Sequence, residues 1–502
     1  MTAASADGET GAAGGGGGLH DMPVEELRRH AHDVADWIAD YLDRVGELPV
    51  FPDIEPGDLR TRLPDLPEEG EPFEAILGDL DRLVIPATTH WNHPRFHAYF
   101  AVTGSGPGIL AEAVAAALNV NGMVWRSGPS VTELEEHVLE LLARALGLPG
   151  GLAGAINDTA STSTLYALAA ARHAAIPGST DAGLSGASPG RVYASAEAHS
   201  SVDKAVLTLG LGRDGVVHVP TDDQRRMDPE ALRRAIADDR RVGRTPVAVV
   251  ATLGTTSTTA VDPVADIADV ARQEGVWLHV DAAYGGPLAL LPEWRERFDG
   301  WQRADSVVVN PHKWLFTPID CSVLWVRGGD RLRGAFSLTP EYLRTTEGED
   351  ATNLMDYGVA LGRRFRALKL WFVLRWFGLE GIRRRLRHHL DLAGEIAETI
   401  RRTAGWEVDT PGTMALVVFR AVRPDHDVAA ENELNHEILE QVARSGEAFL
   451  SHTSLEGTVW LRLAVGNLRT TRDDVARSWA AVRAARGPDG PDSAAAGSHT
   501  PG

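Results

Sequence analysis

The chain has 502 residues, of which 43% are hydrophobic and 24% charged, a balance typical of a soluble globular protein of two or three domains. No run of about 20 apolar residues predicts a membrane span. A net charge of −21 argues against nucleic acid as a partner, because phosphate binding needs a basic surface. The single cysteine, Cys321, excludes an intramolecular disulfide and a cysteine-based metal site, and is expected to be a small buried residue beside a strand. The acidic charge leaves small molecules as the expected ligands. No signal peptide pattern is visible, so we expect a cytoplasmic location.

The first hundred residues predict a helical segment rather than a self-sufficient domain. Residues 1–20 are glycine, alanine and polar residues and are predicted to form a disordered tail. The range 21–105 contains an amphipathic helix and, after a proline-rich connection, a second helical stretch in EPFEAILGDLDRLV. Because the apolar stripe of the first helix must be buried against another surface, we expect this segment to pack against a partner subunit. The stripe consists of Leu27, Val34, Trp37, Ile38, Tyr41, Leu42 and Val45.

Residues 106–375 predict the large domain of an α/β fold. Short apolar runs such as RVYAS, PVAVVATL, VWLHVDAAY, DSVVVN and SVLWVR alternate with helical stretches, which is the pattern of a mostly parallel sheet covered by helices. Residues 376–485 combine a basic helix, strands near MALVVFR and VWLRLAVG and two further helices, which predicts a small α+β C-terminal domain. Residues 486–502 are predicted to form a second disordered tail.

Polar clusters follow the predicted strands of the large domain, in the order GAINDTASTS, AEAHSS, ATLGTT, HVDAAYGG and NPHKW. Open α/β sheets bind ligands at the carboxyl ends of their strands, so we expect these clusters to meet at one edge of the sheet. In the first cluster, residues 158–162 stand between a strand and a helix, where backbone N–H groups can bind a phosphate. An ordinary helix N-cap is the simpler explanation of that segment taken alone.

Lysine is rare in this chain, since Lys204, Lys313 and Lys369 are the only lysines among 49 basic residues. An amine that forms an imine with a carbonyl group cannot be replaced by a guanidinium, which stays protonated. Lys313 follows one predicted strand and Asp281 follows another. A lysine for an imine and an aspartate facing a protonated pyridine nitrogen are the two groups that pyridoxal phosphate requires. A structural salt bridge between the two residues is the alternative.

The ordered set AEAHSS, ATLGTT, HVDAAYGG, NPHKW and DCS resembles the aromatic-L-amino-acid decarboxylases, a branch of the group II pyridoxal-phosphate-dependent decarboxylases. The segments THWNHPRFHAYF, GPSVTELE and LGRRFRALKLWF extend the resemblance over nearly the whole chain between the two tails. The resemblance implies a pyridoxal-phosphate transferase-like fold (fold type I), an active site at the interface of a homodimer, and conversion of an aromatic L-amino acid to an amine and carbon dioxide.

The resemblance also implies roles for individual residues. Lys313 would bind pyridoxal 5′-phosphate as a Schiff base, Asp281 would pair with the pyridine nitrogen, and His199 would stack on the ring. Lys204 and Lys369 match no functional position and are expected at the surface or at helix ends. The other positions that match cofactor contacts are Thr159, Ala160, Ser161, Thr255, Ala283, Asn310 and His312.

A polar segment between SVLWVR and LGRRFRALKLWF has the composition of a mobile lid. Within it, Tyr342 matches the loop tyrosine that decarboxylases of this family use to protonate the substrate Cα. Without the family context, an exposed loop aromatic would be the simpler explanation of this residue.

Six positions match the family's substrate pocket, and those at 121 and 123 match residues lent by the partner subunit. Related enzymes carry Gly at the position of Gly362 when they use larger rings, and often Ser when they use smaller ones. This favours tryptophan, 5-hydroxytryptophan, DOPA or a phenylalanine-type substrate over histidine or tyrosine. Ala101 and Val102 depart from the Pro and Thr common in animal enzymes, which leaves the ring substituent open. The six positions are Trp91, Tyr99, Phe100, Asn121, Met123 and Gly362.

Three other functions compete with simple decarboxylation. An aldehyde synthase decarboxylates and then oxidatively deaminates, but in that branch the loop tyrosine or the stacking histidine is typically replaced, and here Tyr342 and His199 are both present. An aminotransferase shares the fold without further resemblance. A non-catalytic homologue is disfavoured because Lys313, Asp281 and His199 are retained together.

Overall fold

The structure, a computed structural model, describes residues 20–338 and 351–487 with the exception of 412 and 425. The N-terminal segment is helical, as predicted, with α1 (Val24–Arg44), α2 (Asp58–Arg62) and α3 (Phe73–Asp79). Few residues of these helices are fully buried: in α1 only His30 is buried, and in α2 and α3 no residue is. Val24 and Leu27 are exposed, whereas the later residues of the apolar stripe are partly or fully buried, so the exposed apolar surface of α1 is limited to its first turns.

A seven-stranded sheet forms the centre of the large domain, in the order β1-β7-β6-β5-β4-β2-β3. Strand β7 is antiparallel to both of its neighbours, and the other neighbouring pairs are parallel. The strands are β1 (Leu152–Asn157), β2 (Gly190–Ser195), β3 (Val216–Val219), β4 (Thr245–Thr252), β5 (Trp277–Asp281), β6 (Ser306–Val309) and β7 (Ser322–Arg327).

Helices cover both faces of this sheet, which is why its central strands are continuous apolar runs. Along β4, Val249 and Ala251 pack into one hydrophobic cluster while Ala248 and Val250 pack into another, as the period of two in a strand requires. The covering and flanking helices are α4 (Gly106–Leu118), α5 (Pro129–Leu146), α6 (Ala160–Ala175), α7 (Ser201–Thr208), α8 (Pro229–Arg241), α9 (Val264–Glu274), α10 (Pro311–Trp314) and α11 (Gly329–Phe336).

The C-terminal part is α+β, as predicted, with an antiparallel sheet in the order β10-β11-β9-β8. The long helix α12 breaks at Gly378, whose φ of +62° is non-helical, so the predicted boundary at 376 falls inside this helix and close to its break. Across the part of the chain that is described, no helix is both long and apolar enough to cross a membrane. The elements are α12 (Arg366–Arg402), β8 (Trp406–Pro411), β9 (Leu416–Ala421), α13 (Val428–Ser445), β10 (Ser451–Leu455), β11 (Thr458–Ala464) and α14 (Arg472–Ala485).

Two residues that were predicted to lie at the surface or in a disordered tail, Lys369 and Arg486, are buried. Lys369 was expected at the surface or at a helix end; it lies in the first turn of α12 but not at the surface, since its side chain is 1% exposed and forms ion pairs with Glu112 of α4 and with Asp320, 3.9 Å away. Arg486, the first residue of the predicted C-terminal tail, is buried and donates a hydrogen bond to the carbonyl oxygen of Val422 (2.8 Å). Both residues find partners that are distant in the sequence.

Candidate active site

The polar clusters predicted from the sequence lie at one edge of the large sheet. Strands β1, β2, β4, β5 and β6 point the same way, so their carboxyl ends share that edge, and the antiparallel β7 begins there. Backbone hydrogen bonds tie neighbouring clusters together: Leu253 N–H donates to Asp281 O (2.8 Å), and Asn310 N–H donates to Ala283 O (3.1 Å). The structure therefore brings the ends of these strands into one site.

Lys313 lies in α10, a single turn that follows β6. Its Nζ is 5.5 Å from the centroid of the Phe100 ring. Burial lowers the pKa of this amine, the nearby Arg462 lowers it further, and Asp281 opposes the shift. A lowered pKa increases the fraction of free amine, which is the form that attacks a carbonyl group.

Asp281 is the last residue of β5 and is buried. Its Oδ1 accepts a hydrogen bond from Ala283 N–H (3.0 Å), and its charge acts on both Lys313 and His199. His279, on the same strand, is buried and hydrogen-bonds Ser306 through Nδ1 (2.8 Å); burial lowers its pKa to about 4, so it stays neutral. The site thus holds one carboxylate close to one amine, with a neutral histidine behind it.

His199 follows β2 and is exposed to solvent at the mouth of the site. Its Nδ1 accepts a hydrogen bond from Ser201 N–H (3.1 Å) and lies 2.9 Å from Ser201 Oγ. Burial of the ring atoms and the positive charge of Lys313 lower its pKa, while Asp281 opposes the shift. Ser201 thus fixes one nitrogen of the His199 ring.

The turn from β1 to α6 provides an anion site. α6 begins at Ala160 with Thr159 as its N-cap, and no side chain caps its first turn, so the N–H groups of Ala160 and Ser161 are available to an anion. Nearby, Asn157 Nδ2 donates to Ser163 Oγ (3.1 Å), and this oxygen lies 2.9 Å from Ser322 Oγ at the start of β7. These side-chain bonds fix the turn without using its N–H groups.

Three buried polar atoms at the strand ends have no hydrogen-bond partner among the described residues: Asn310 Oδ1 after β6, Thr252 Oγ1 on β4 and Ser195 Oγ on β2. Buried polar atoms are normally satisfied, so a cluster of open ones at a single sheet edge fits a bound polar group. Together with a free amine, a facing carboxylate and an open helix N-terminus, they fit pyridoxal phosphate.

The remaining predicted cofactor positions line the same edge. Thr255 is fully buried, and its Oγ1 accepts from Ala260 N–H (2.9 Å), which closes the turn after β4. His312 Nδ1 accepts from Cys321 N–H (2.9 Å), and burial together with Lys313 lowers its pKa to about 4. Cys321 is completely buried just before β7, which confirms the prediction for this residue.

The predicted substrate positions fall into two groups. In the first, Phe100 stacks on Tyr284 at 3.6 Å between ring centroids and faces Lys313, while Trp91 and Tyr99 stack on each other at 5.7 Å as an exposed rim. Of the three predicted residues in this group, Phe100 contacts Lys313. Tyr342, the predicted proton donor, lies outside the described residues.

The second group, which we call the 121–123 patch, comprises residues 121–123 and Gly362 beside them. Arg363 N–H donates to Asn121 Oδ1 (2.9 Å), Gly122 N–H donates to Arg363 O (3.0 Å), and Met355 N–H donates to Met123 O (3.0 Å). These hydrogen bonds hold the patch together within one chain.

Arg462 on β11 was missed by the sequence reasoning. It is 4% exposed, and its guanidinium is 5.2 Å from the centroid of the Phe100 ring. The Nζ of Lys313 contacts the same ring. Arg462 donates to Thr256 O (2.7 Å), Ser257 O (3.3 Å) and Ser451 Oγ (2.9 Å), and burial lowers its pKa to about 10. The available signal was an arginine inside the apolar strand VWLRLAVG.

Comparisons with known proteins agree with this geometry. The family model for the pyridoxal-dependent decarboxylase conserved domain matches residues 56–422. Histidine decarboxylase of Homo sapiens is 38% identical over 92% of this chain and 70% of its own length, and phenylacetaldehyde synthase of Arabidopsis thaliana is 37% identical over 94% and 98%. The crystal structure of Oryza sativa TDC with PLP and tryptamine has a TM-score of 0.90 and 35% identity, covering 93% of this chain and 99% of that chain.

The matches extend over both the large and the small domain, and the fold predicted from the sequence is confirmed. A free lysine amine, a facing carboxylate and a phosphate-binding turn are the groups that this cofactor class needs. The chain therefore belongs to the group II pyridoxal-phosphate-dependent decarboxylases, and it is a carboxy-lyase with pyridoxal 5′-phosphate as its cofactor.

Proposed function

We propose that this enzyme decarboxylates an aromatic L-amino acid, releasing the arylalkylamine and carbon dioxide, and that Lys313 binds the cofactor. The observation that carries the proposal is the meeting of the Lys313 amine, the Asp281 carboxylate and the Phe100 ring at one sheet edge. An amine of lowered pKa between a carboxylate and an aromatic wall supports both cofactor attachment and an aromatic substrate.

When bound, pyridoxal phosphate supplies a protonated ring that stabilises the electron pair left by the departing carbon dioxide. Asp281 would pair with the ring nitrogen and favour its protonated form, because it is a negatively charged carboxylate that Ala283 N–H fixes in place. The first turn of α6, with Thr159, Ala160 and Ser161, would hold the phosphate at a helix N-terminus. His199 would contact the ring.

Arg462 binds the substrate carboxylate in this proposal. It is a buried cation beside Lys313, and its described contacts are backbone carbonyls and a hydroxyl rather than an acid. These three hydrogen bonds do not exhaust the donors of a guanidinium, so it can still bind a carboxylate. Tyr342 is proposed to deliver the proton to Cα while the surrounding loop excludes water.

A large ring is the proposed preference. A Cβ added at Gly362 would meet no atom of the described residues within 4 Å, and we propose that this open space faces the substrate bound to the neighbouring subunit. The structure with a TM-score of 0.90 contains tryptamine, which is the amine of an indole substrate. We therefore favour tryptophan, 5-hydroxytryptophan, DOPA or a phenylalanine-type substrate over histidine.

We propose a homodimer in which the 121–123 patch of one subunit completes the site of the other, with residues 21–105 as the dimerisation segment. Apolar side chains of α4 at Leu110, Val114 and Leu118 follow helical spacing and are exposed in the single chain, as are Val24 and Leu27 of α1. Exposed stripes of this kind support a second subunit covering them. A cytoplasmic location stays a prediction.

Oxidative deamination to an aldehyde is the second candidate, because phenylacetaldehyde synthase is 37% identical to this chain. One experiment separates the candidates: the cofactor-loaded enzyme is incubated with tryptophan, 5-hydroxytryptophan, DOPA, phenylalanine, tyrosine, histidine and glutamate, and amine, aldehyde, carbon dioxide and hydrogen peroxide are measured. We expect amine and carbon dioxide in equal amounts from an aromatic substrate. Aldehyde with peroxide would establish the second candidate, and best turnover of glutamate would refute the aromatic assignment.

A further inference from the structure

A buried ion pair lies beside the sheet, apart from the groups assigned so far. Glu135 of α5 is 1% exposed and Arg363, just before α12, is 6% exposed; Arg363 Nη2 lies 3.0 Å from Glu135 Oε1. Burying two charges is costly, and apolar residues of similar volume often serve stability as well or better. The pair therefore calls for a role that apolar residues could not fill.

The pair takes the place of a missing neighbour of β1. This strand is at the edge of the sheet and pairs only with β7. On its open side, Ile156 N–H donates to Glu135 Oε1 (2.7 Å), and Arg363 Nη2 donates to Ile156 O (3.1 Å). The two side chains thus satisfy a buried N–H and a buried C=O, as an adjoining strand would. β1 ends one residue later, at Asn157, and Asp158, Thr159 and the open first turn of α6 follow.

The backbone of Arg363 also holds the 121–123 patch. Its N–H donates to Asn121 Oδ1 (2.9 Å), its carbonyl accepts from Gly122 N–H (3.0 Å), and Gly362 is its neighbour in the chain. Arg363 therefore contacts two parts of the site. Its side chain hydrogen-bonds β1, which leads into the phosphate-binding turn, and its main chain hydrogen-bonds the 121–123 patch.

From this juxtaposition we propose that Glu135 and Arg363 are positioning residues, which keep the phosphate-binding turn and the 121–123 patch in one fixed relation. The inference rests on the proposed function, because it takes the turn as a cofactor contact and the patch as a substrate contact. Without the Arg363 side chain, Ile156 O loses its donor and the Glu135 carboxylate loses its cation, so the strand that enters the turn is held on its open side only by the hydrogen bond from Ile156 N–H to Glu135. The cofactor phosphate and the amino acid are then both bound more weakly.

The test uses the full-length protein after removal and re-addition of cofactor. The variants Arg363→Met, Arg363→Lys and Glu135→Gln are titrated with pyridoxal phosphate and, separately, with pyridoxal, which lacks the phosphate. We expect the Kd of pyridoxal phosphate to rise about tenfold in Arg363→Met and Glu135→Gln, with smaller effects in Arg363→Lys, as is typical when a supporting contact is lost. The Kd of pyridoxal should not change, and KM for the preferred amino acid should rise in the same variants.

A matched control separates positioning from general stability. Asp239 of α8 is buried and forms an ion pair with the partly buried Arg191, 3.1 Å away, at the amino end of β2, whereas the site lies at the carboxyl ends of the strands. Asp239→Asn should lower the unfolding temperature and leave both Kd values unchanged.

Two results would overturn the proposal: an unchanged Kd of pyridoxal phosphate in folded Glu135→Gln, or an equal loss of affinity for pyridoxal. If Arg363→Met does not fold, Glu135→Gln decides alone: it keeps the side-chain shape and an acceptor for Ile156 N–H, but it removes the negative charge that holds the Arg363 guanidinium. If the wild type forms no amine from any amino acid, the proposed function fails, but the phosphate-specific loss is still measured because that titration needs no substrate.

Discussion

Replacing Arg462 by Met tests whether this residue recognises the substrate carboxylate. The substitution keeps the length and the apolar stem of the side chain but removes a buried cation whose three hydrogen bonds go to Thr256 O, Ser257 O and Ser451 Oγ. A hydrogen bond to a charged group contributes about 1.5–3 kcal/mol. Since about 1.4 kcal/mol corresponds to a factor of ten, kcat/KM for the preferred amino acid should fall about 10- to 150-fold.

The assay compares ligands with and without a carboxylate. For an indole substrate, Arg462→Met should lower kcat/KM for tryptophan and leave the inhibition constant of tryptamine unchanged, because the amine has no carboxylate to lose. Arg462 also lowers the pKa of Lys313, so the pH at which the cofactor-free variant begins to form a Schiff base should move upward.

Arg420 provides a matched control for this substitution. It lies on the neighbouring strand β9, forms ion pairs with Glu407 and Glu431, and packs over Trp460. Arg420→Met should alter neither kcat/KM nor the pH dependence. Equal weakening of tryptophan and tryptamine by Arg462→Met would show that the guanidinium shapes the pocket rather than binding the carboxylate, and would refute the reasoning.

Three further substitutions give separate tests. Asp281→Asn should reduce decarboxylation at least about 100-fold, the scale of a lost electrostatic contact to the transition state, while borohydride trapping still labels Lys313; a near-normal rate of carbon dioxide release would contradict its role. His389→Phe leaves the buried Trp314 Nε1–H, which donates to His389 Nδ1 at 3.0 Å, without an acceptor, and should cost about 1–3 kcal/mol in denaturant unfolding; unchanged stability would count against this bond. Burial raises the pKa of Asp262 from 3.8 to about 6, so the folded state binds the proton more tightly than the unfolded state. The contribution of Asp262 to the free energy of unfolding is therefore lost as pH rises from about 4 through 6. In Asp262→Asn, the unfolding temperature should no longer fall over this pH range for that reason; an identical pH dependence in the variant and the wild type would refute the assignment.

Much of the site could be predicted because its parts are local in sequence. Asp281 ends a strand, Lys313 follows another, and parallel strands deliver their carboxyl ends to the same edge. The open turn at Thr159 and Ala160 follows equally from a strand that runs directly into a helix. No knowledge of long-range packing was needed for these residues.

The residues that the sequence missed depend on contacts between distant segments. Arg462 reaches the site because the small sheet packs against the turn after β4, and no local pattern specifies that contact. Resemblance predicts that Asn121 and Met123 are lent by the partner subunit, but it does not predict which contacts hold them. In the structure, Arg363 N–H donates to Asn121 Oδ1, and Phe100 lies beside Lys313. Both contacts join segments that are far apart in the sequence.

The three lysines show how far a composition argument can go. Lys204 is exposed on α7, where arginine would serve as well, so its identity carries no information. Lys313 stands where an imine requires a free amine. Lys369 is retained for a different reason: it is 1% exposed and lies between two acids, Glu112 and Asp320, where a compact ammonium fits and a planar guanidinium would need more room. Scarcity of lysine therefore gives three candidates but no roles, and only the surrounding strand ends distinguish the reactive amine of Lys313 from the buried Lys369 and the exposed Lys204.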